Sequence, residues 1–250
     1  MQGRESDFSK GRMKVMSEAD RLRLAELVSA RVCQSLIGPI GAVVNGLELL
    51  REAPDRKATA ATHNQLDRDC TRIVDRLRFF RLAYGCDDDD LPVALDDLRN
   101  MADAFFAETR IGLDWPIPSE QPLDPTAGIN RNAARVLLNG LLVIAECLGM
   151  RGAIAVRAAG GDPTAPSEFH VVGAGDLLPM SAAKCRTLQS DVRIAYLDEE
   201  TIHPYLARQL ARHSGIGFTV AVSPSRIEAA ILLPRPASAG EETAGSEPTA

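Results

Sequence analysis

Apolar or small residues recur at Ala25, Val28, Val32, Leu36, Ile40, Val43, Leu47 and Leu50. These steps of three and four predict one long helix with an apolar stripe. Ser17-Glu18-Ala19-Asp20 reads as a capping box that starts it, and Ala53-Pro54-Asp55-Arg56 reads as the turn that follows Glu52. A return helix is marked by Leu66, Cys70, Ile73, Leu77, Phe80 and Tyr84, a seven-residue repeat, and Gly85 ends it. A pair of helices leaves part of each stripe wet, so a second hairpin completing a four-helix bundle, or the rest of the same chain, must cover it.

At about 100° per residue, Gln34 lies roughly 200° from both Val32 and Leu36. Arg31, Gln34, Gly38, Gly41 and Asn45 therefore share a face pointing away from the stripe. Gly38, Pro39 and Gly41 are poor helix material, and Pro39 removes the bond its amide would give the Ser35 carbonyl. Either a tolerated kink or a docking surface accounts for them.

Beyond the hairpin the period changes. Leu95, Leu98, Ala102, Phe105 and Phe106 predict a helix, Ile111 to Pro116 a strand, and Asn130 to Leu148 a long helix ending at Gly149. Strands follow at 153–158 and 169–172, weaker helices at 179–189 and 201–213, and a hairpin at 218–222 and 227–233 around Ser223-Pro224-Ser225. That order predicts an α/β sandwich after the helical part. The expected organisation is a disordered start over 1–16, a helical hairpin over 17–86, a linker over 87–92 holding Asp87 to Asp90, an α/β domain over 93–234 and a disordered polar tail over 235–250.

The helix 31–50 resembles the phosphoacceptor helix of the ChpT-type histidine phosphotransferases, relay proteins built like a histidine-kinase core. Cys33, Leu36, Ile37, Pro39, Ala42, Val43, Asn45, Gly46 and Leu47 match that pattern. The resemblance covers about residues 20 to 234. It implies a dimeric four-helix bundle followed by a degenerate copy of the kinase ATPase domain. It also puts Gln34 where the family carries its phosphoacceptor histidine, and Ser35 where an aspartate follows. Asn139 corresponds to a retained asparagine of the ATPase domain, Ile144 takes the place of the magnesium-holding asparagine, and Gly173-Ala174-Gly175-Asp176 is the nearest approach to a nucleotide loop. No ATP binding, no cofactor and neither kinase nor ATPase activity are expected, and magnesium would come from a receiver.

Phosphoryl relay needs a neutral imidazole attacking an aspartyl phosphate in line. The Gln34 carboxamide delocalises its nitrogen lone pair and cannot do so. The resemblance implies response-regulator receivers and the receiver of a hybrid histidine kinase as partners. They are expected to dock on Arg31, Gln34, Ser35, Gly38 and Pro39, with Arg72, Arg76 and Phe79 from the return helix forming a basic collar. Two other readings stay open: a phosphotransferase using a different acceptor, and a structural dimerisation scaffold.

Composition narrows the partners. The 250 residues carry a net charge of −6 and 45% hydrophobic content, and the pI is near 5.3. This argues against nucleic acid or an anionic membrane as the main partner. No run approaches ~18 consecutive apolar residues and the start lacks a signal-peptide core, so a cytoplasmic protein is expected. The five cysteines form no CxxC pair, and Cys33 and Cys70 read as small buried hydrophobes. His63 falls about 13 residues, roughly 20 Å, along the hairpin from Gln34. It, His170, His203 and His213 have no acidic or cysteine partner at metal or triad spacing and read as structural.

Overall fold

The computed structural model describes residues 16–52, 56–85, 91–107, 109–116, 128–162, 165–176 and 178–234. The start, most of the hairpin turn, the four aspartates and the tail considered above lie outside these residues.

Helix α1 (Glu18–Glu52) begins as its capping box predicts. Ser17 Oγ accepts from the Asp20 amide at 3.1 Å and donates to the Asp20 carboxylate at 2.8 Å. It runs as one helix through Pro39 and pairs with the antiparallel α2 (Arg56–Tyr84). The register is fixed at two points: Arg76 donates to Ser35 Oγ at 2.9 Å, and Gly46 lies against Leu66. A Cβ on Gly46 would come within 2.7 Å of the Leu66 side chain, so this glycine lets the two helices approach closely.

The single stripe read from the sequence divides into two faces. Gly46 and half-buried Val32, Pro39, Val43 and Leu50 belong to the packed side of the helix. Ile37, Ile40, Val44 and Leu47 are 47–73% exposed, as are Val74 and Leu77 of α2 at 45–46%. Ala25 is exposed too. Cys33 and Cys70 correct the expectation of burial, because both are exposed in the single chain. By length and composition alone α1 is apolar enough to cross a membrane, although its most apolar window is spread around the helix surface rather than packed inside.

Helix α3 (Leu95–Phe106) buries Leu95, Leu98, Ala102, Phe105 and Phe106, the five positions its pattern marks. Strand β1 (Arg110–Asp114) leads through α4 (Arg131–Cys147) to β2 (Arg151–Asp162). The hairpin partner β3 (Ala165–Ala174) follows. Both β2 and β3 are longer than their patterns suggest, since the glycines at 160 and 161 continue the ladder, with Gly161 paired to Pro166. Helices α5 (Ala182–Gln189) and α6 (Ile202–His213) precede the terminal hairpin β4 (Gly217–Ser223) and β5 (Arg226–Leu232). The mixed sheet has the order β1-β2-β3-β5-β4, with β1 and β2 parallel and every other pair antiparallel.

Helix α4 organises the α/β part. Asn130 caps it by accepting from the Ala133 amide at 2.8 Å. From Ala133 to Cys147 only Arg135 and Glu146 are not buried outright, the mark of a helix with packing on all sides. One side covers Ile154, Val156, Phe169, Val171, Ile227 and Ile231 of the sheet; the others meet α2 and α6. Gly173 exists for this contact: a Cβ there would stand 2.5 Å from Ile144 Cγ2 and 2.9 Å from Ile227 Cγ2. The hairpin is seated on this body at two places. Phe79 stacks on Phe105 with centroids 4.1 Å apart, and Leu27 joins Leu197 and Ile202 in a second cluster.

Candidate functional site

Gln34 lies on α1 with its side chain exposed, and Gly38 beside it is exposed as well. A Cβ added at Gly38 or Gly41 would meet no atom within 4 Å, so neither glycine is required by packing among the described residues. Ser35, Pro39, Arg31, Arg72 and Arg76 are half-buried on or beside this face. Phe79 does not belong with them. It is fully buried among Phe80, Phe105 and Phe106, because the return helix turns that position into the core rather than toward Gln34.

Two of the three arginines of the basic collar expected around Gln34 are paired with acids. Arg31 donates to the carboxylate of Glu146 on α4 and, at 3.3 Å, to Gln34 Oε1. Arg72 pairs with Asp69 at 2.6 Å, with Asp69 only 2% exposed. Arg76, besides holding Ser35, lies over the Phe105 ring at 5.1 Å. The Gln34 amide Nε2 donates to Glu199 Oε2 at 2.6 Å, so position 34 is tied to the α/β part by an acid.

Behind Arg31 is a polar cluster drawn from four helices. Glu146 accepts from His203 Nδ1 of α6 at 2.6 Å, and His203 Nε2 bonds the Tyr84 hydroxyl of α2. The Tyr84 and His203 rings stack, with centroids 5.9 Å apart. His203 is thus structural but far from partnerless, which corrects the expectation; His170 likewise has Glu168 at 3.0 Å. Burial pushes the Glu146 carboxyl up, but the His203 hydrogen bond and the charges of His203, Arg31 and Lys184 outweigh it and hold it below the usual carboxylate value. Burial, then the Glu146 charge, raises the Tyr84 phenol far above its ordinary range. Burial also pushes the Cys147 thiol up to about 12, so it is an unreactive core group.

Asn139 faces inward. Fully buried, its Nδ2 donates to the carbonyls of Ala83 at 2.9 Å and Arg135 at 2.8 Å, binding α4 to the end of α2. Ile144 is fully buried against the sheet. Among the described residues no group of three or more metal-ligating side chains is placed to hold an ion.

Sequence reasoning missed Glu146, Glu199 and the partners of His203. Glu146 had a signal, as the only charge in the apolar run from Val136 to Leu148. Asp198-Glu199-Glu200 reads as an ordinary solvated run, and only the fold brings it to α1.

Comparison with known proteins decides the family. The family model of the histidine phosphotransferase C-terminal domain matches residues 95–226, from α3 to the first residue of β5. The chain belongs to the histidine phosphotransferase family. It is 27% identical over 200 residues to the protein phosphotransferase ChpT of Brucella abortus (strain 2308), covering 80% of this chain and 90% of that protein. A bacterial phosphotransferase solved at 1.7 Å shares the fold, with a TM-score of 0.65 at 24% identity, covering 86% of this chain and 97% of that one. Family membership connects the chain to two-component phosphorelay signalling, in which response regulators are the partners.

Proposed function

We propose that this chain docks response-regulator receiver domains on the face around Gln34 and accepts no phosphoryl group there. The observation that carries the reading is the α1 face with exposed Gln34 and Gly38 and half-buried Gly41, where a Cβ on either glycine would meet no atom of the described residues within 4 Å. Two glycines in a helix interior cost about 1 kcal/mol each relative to alanine. With no packing need among the described residues, a partner's backbone approaching closely explains them. Pro39 and Asn45 of the family pattern accompany them. A carboxamide at position 34 can donate and accept hydrogen bonds, as it does with Glu199 and Arg31, but cannot attack phosphorus. Receivers would include those of response regulators and of a hybrid kinase, met in the cytoplasm.

In this reading the protein is a homodimer. The exposed Ile37, Ile40, Val44 and Leu47 together with Val74 and Leu77 form an apolar face on a hairpin that a second copy would cover. No nucleotide is needed: the inward-turned Asn139 and buried Ile144 serve packing, and magnesium for any phosphoryl chemistry would be the receiver's.

The test incubates the protein and its Gln34→His variant with radiolabelled phospho-receiver. The reading expects label on the variant alone. Label on the unaltered chain would show a different acceptor residue and refute the non-transferring role. Absence of label on both, with no receiver retained by either in a pulldown, would refute docking.

A further inference from the structure

We infer, resting on the docking reading above, that Glu199 makes this face select receivers that carry no phosphoryl group. In that reading a receiver's phosphoaspartate would come to position 34 of the hairpin. Here that position is occupied by an amide whose nitrogen is already donated to the Glu199 carboxylate at 2.6 Å.

The acid is presented on a braced loop. Asp198 Oδ1 accepts from the amides of Glu200 and Thr201, both at 3.0 Å, and from the Thr201 hydroxyl at 2.7 Å. Arg23 of α1 donates to the Leu197 carbonyl at 3.3 Å. Leu197 and Ile202, on either side of the loop, are buried against Leu27 of α1. Asp198, Glu199 and Glu200 are therefore held beside the docking face rather than hanging free of it, and all three are exposed.

The nearby cations are outnumbered by these acids. Arg31 is engaged by Glu146 and Arg72 by Asp69. Arg76, held by the Ser35 hydroxyl and the Phe105 ring, remains a cation, and it stands against the three exposed carboxylates of Asp198, Glu199 and Glu200. Phosphorylation turns the receiver's aspartate carboxylate into an acyl phosphate, a net gain of about one negative charge at the point nearest Glu199. One added charge ~6 Å from a carboxylate in a water-like dielectric corresponds to about a threefold loss of affinity. An unmodified receiver escapes that repulsion. The protein then holds receivers between rounds of signalling and releases them when they are phosphorylated.

The experiment titrates purified receiver domains of the source organism, with magnesium, against the full chain and against Glu199→Gln. Each receiver is used untreated and as its beryllofluoride adduct, which mimics aspartyl phosphate. The wild-type chain is expected to bind the untreated receiver about threefold more tightly, with the gap shrinking at high salt. In Glu199→Gln the gap should largely close through tighter binding of the adduct. Equal or tighter binding of the adduct by the wild type, or a gap unchanged in Glu199→Gln, would overturn this inference while leaving docking in place. Failure of both chains to bind either form of any receiver would overturn the docking reading and this inference with it.

Discussion

Replacing Glu146 is expected to loosen the seat of the hairpin on the α/β body, and the cost can be worked from its partners. The side chain is 11% exposed and serves Arg31, itself 27% exposed, and His203, 4% exposed. Glu146→Gln leaves the guanidinium without its anion and disturbs the bond to His203. Breaking a buried pair from one side costs about 3–5 kcal/mol, and the part-exposed Arg31 moves the expectation to the low end, about 3 kcal/mol. Arg31→Met removes the more exposed partner and leaves His203 on Glu146, so about 1–2 kcal/mol is expected. If the contact is direct, the double variant costs less than the two singles summed, by about 1–2 kcal/mol. The assay is urea unfolding at fixed protein concentration, followed by circular dichroism. Additivity within about 0.5 kcal/mol would refute the reasoning. The pH dependence gives a second check. A carboxyl held below its unfolded value contributes stability that is present above that unfolded value, about 4.3 for glutamate, and is lost as pH falls through the folded one. The advantage of wild type over Glu146→Gln should hold at pH 6 and shrink below about pH 4.

Other positions give separate outcomes. Gly173→Ala places a Cβ against Ile144 and Ile227, and should cost about 1–3 kcal/mol in the same unfolding assay. Gly38→Ala meets no atom of the described residues, and should raise stability by up to about 1 kcal/mol while weakening receiver binding. Phe79→Ala empties the centre of an aromatic cluster and should cost about 3–5 kcal/mol, a loss too large for a surface docking residue. Ile40→Asp with Val44→Asp should convert a dimer to a monomer by light scattering; an unaltered chain that is already monomeric at high concentration would count against the bundle.

The elements were legible because each is written in local order. A Ser17–Asp20 box, a heptad along α2 and the five buried positions of α3 repeat at distances that one helix turn or one strand pleat imposes. The lengths of β2 and β3 were not, because glycines at 160 and 161 look like an interruption, while the hairpin partner supplies the hydrogen bonds that carry the ladder through them. Which side of α1 is covered was likewise obscure. Small residues such as Gly46 mark the closest approach to α2, whereas the large apolar residues Ile37 and Ile40 face outward.

The candidate site shows the same limit more sharply. Position 34 and its exposed neighbours could be placed from helical angle alone, and so could the level of Arg76 opposite Ser35. The sign of the field there could not. Counting Arg31, Arg72 and Arg76 along two helices gives a basic collar, but charge at a site is set by pairs, and the pairing acids come from elsewhere. Asp69 lies one turn away, Glu146 is 115 positions downstream of Arg31, and Glu199 is 165 positions from Gln34. Burial alone would push the Glu146 carboxyl up, and His203, Arg31 and Lys184 together hold it below its usual value. A face that is cationic in a one-dimensional reading becomes, with those partners in place, one where two arginines are paired with acids and Glu199 is the exposed acid at Gln34. The electrostatic character of a docking helix is therefore a property of the domain it is seated on.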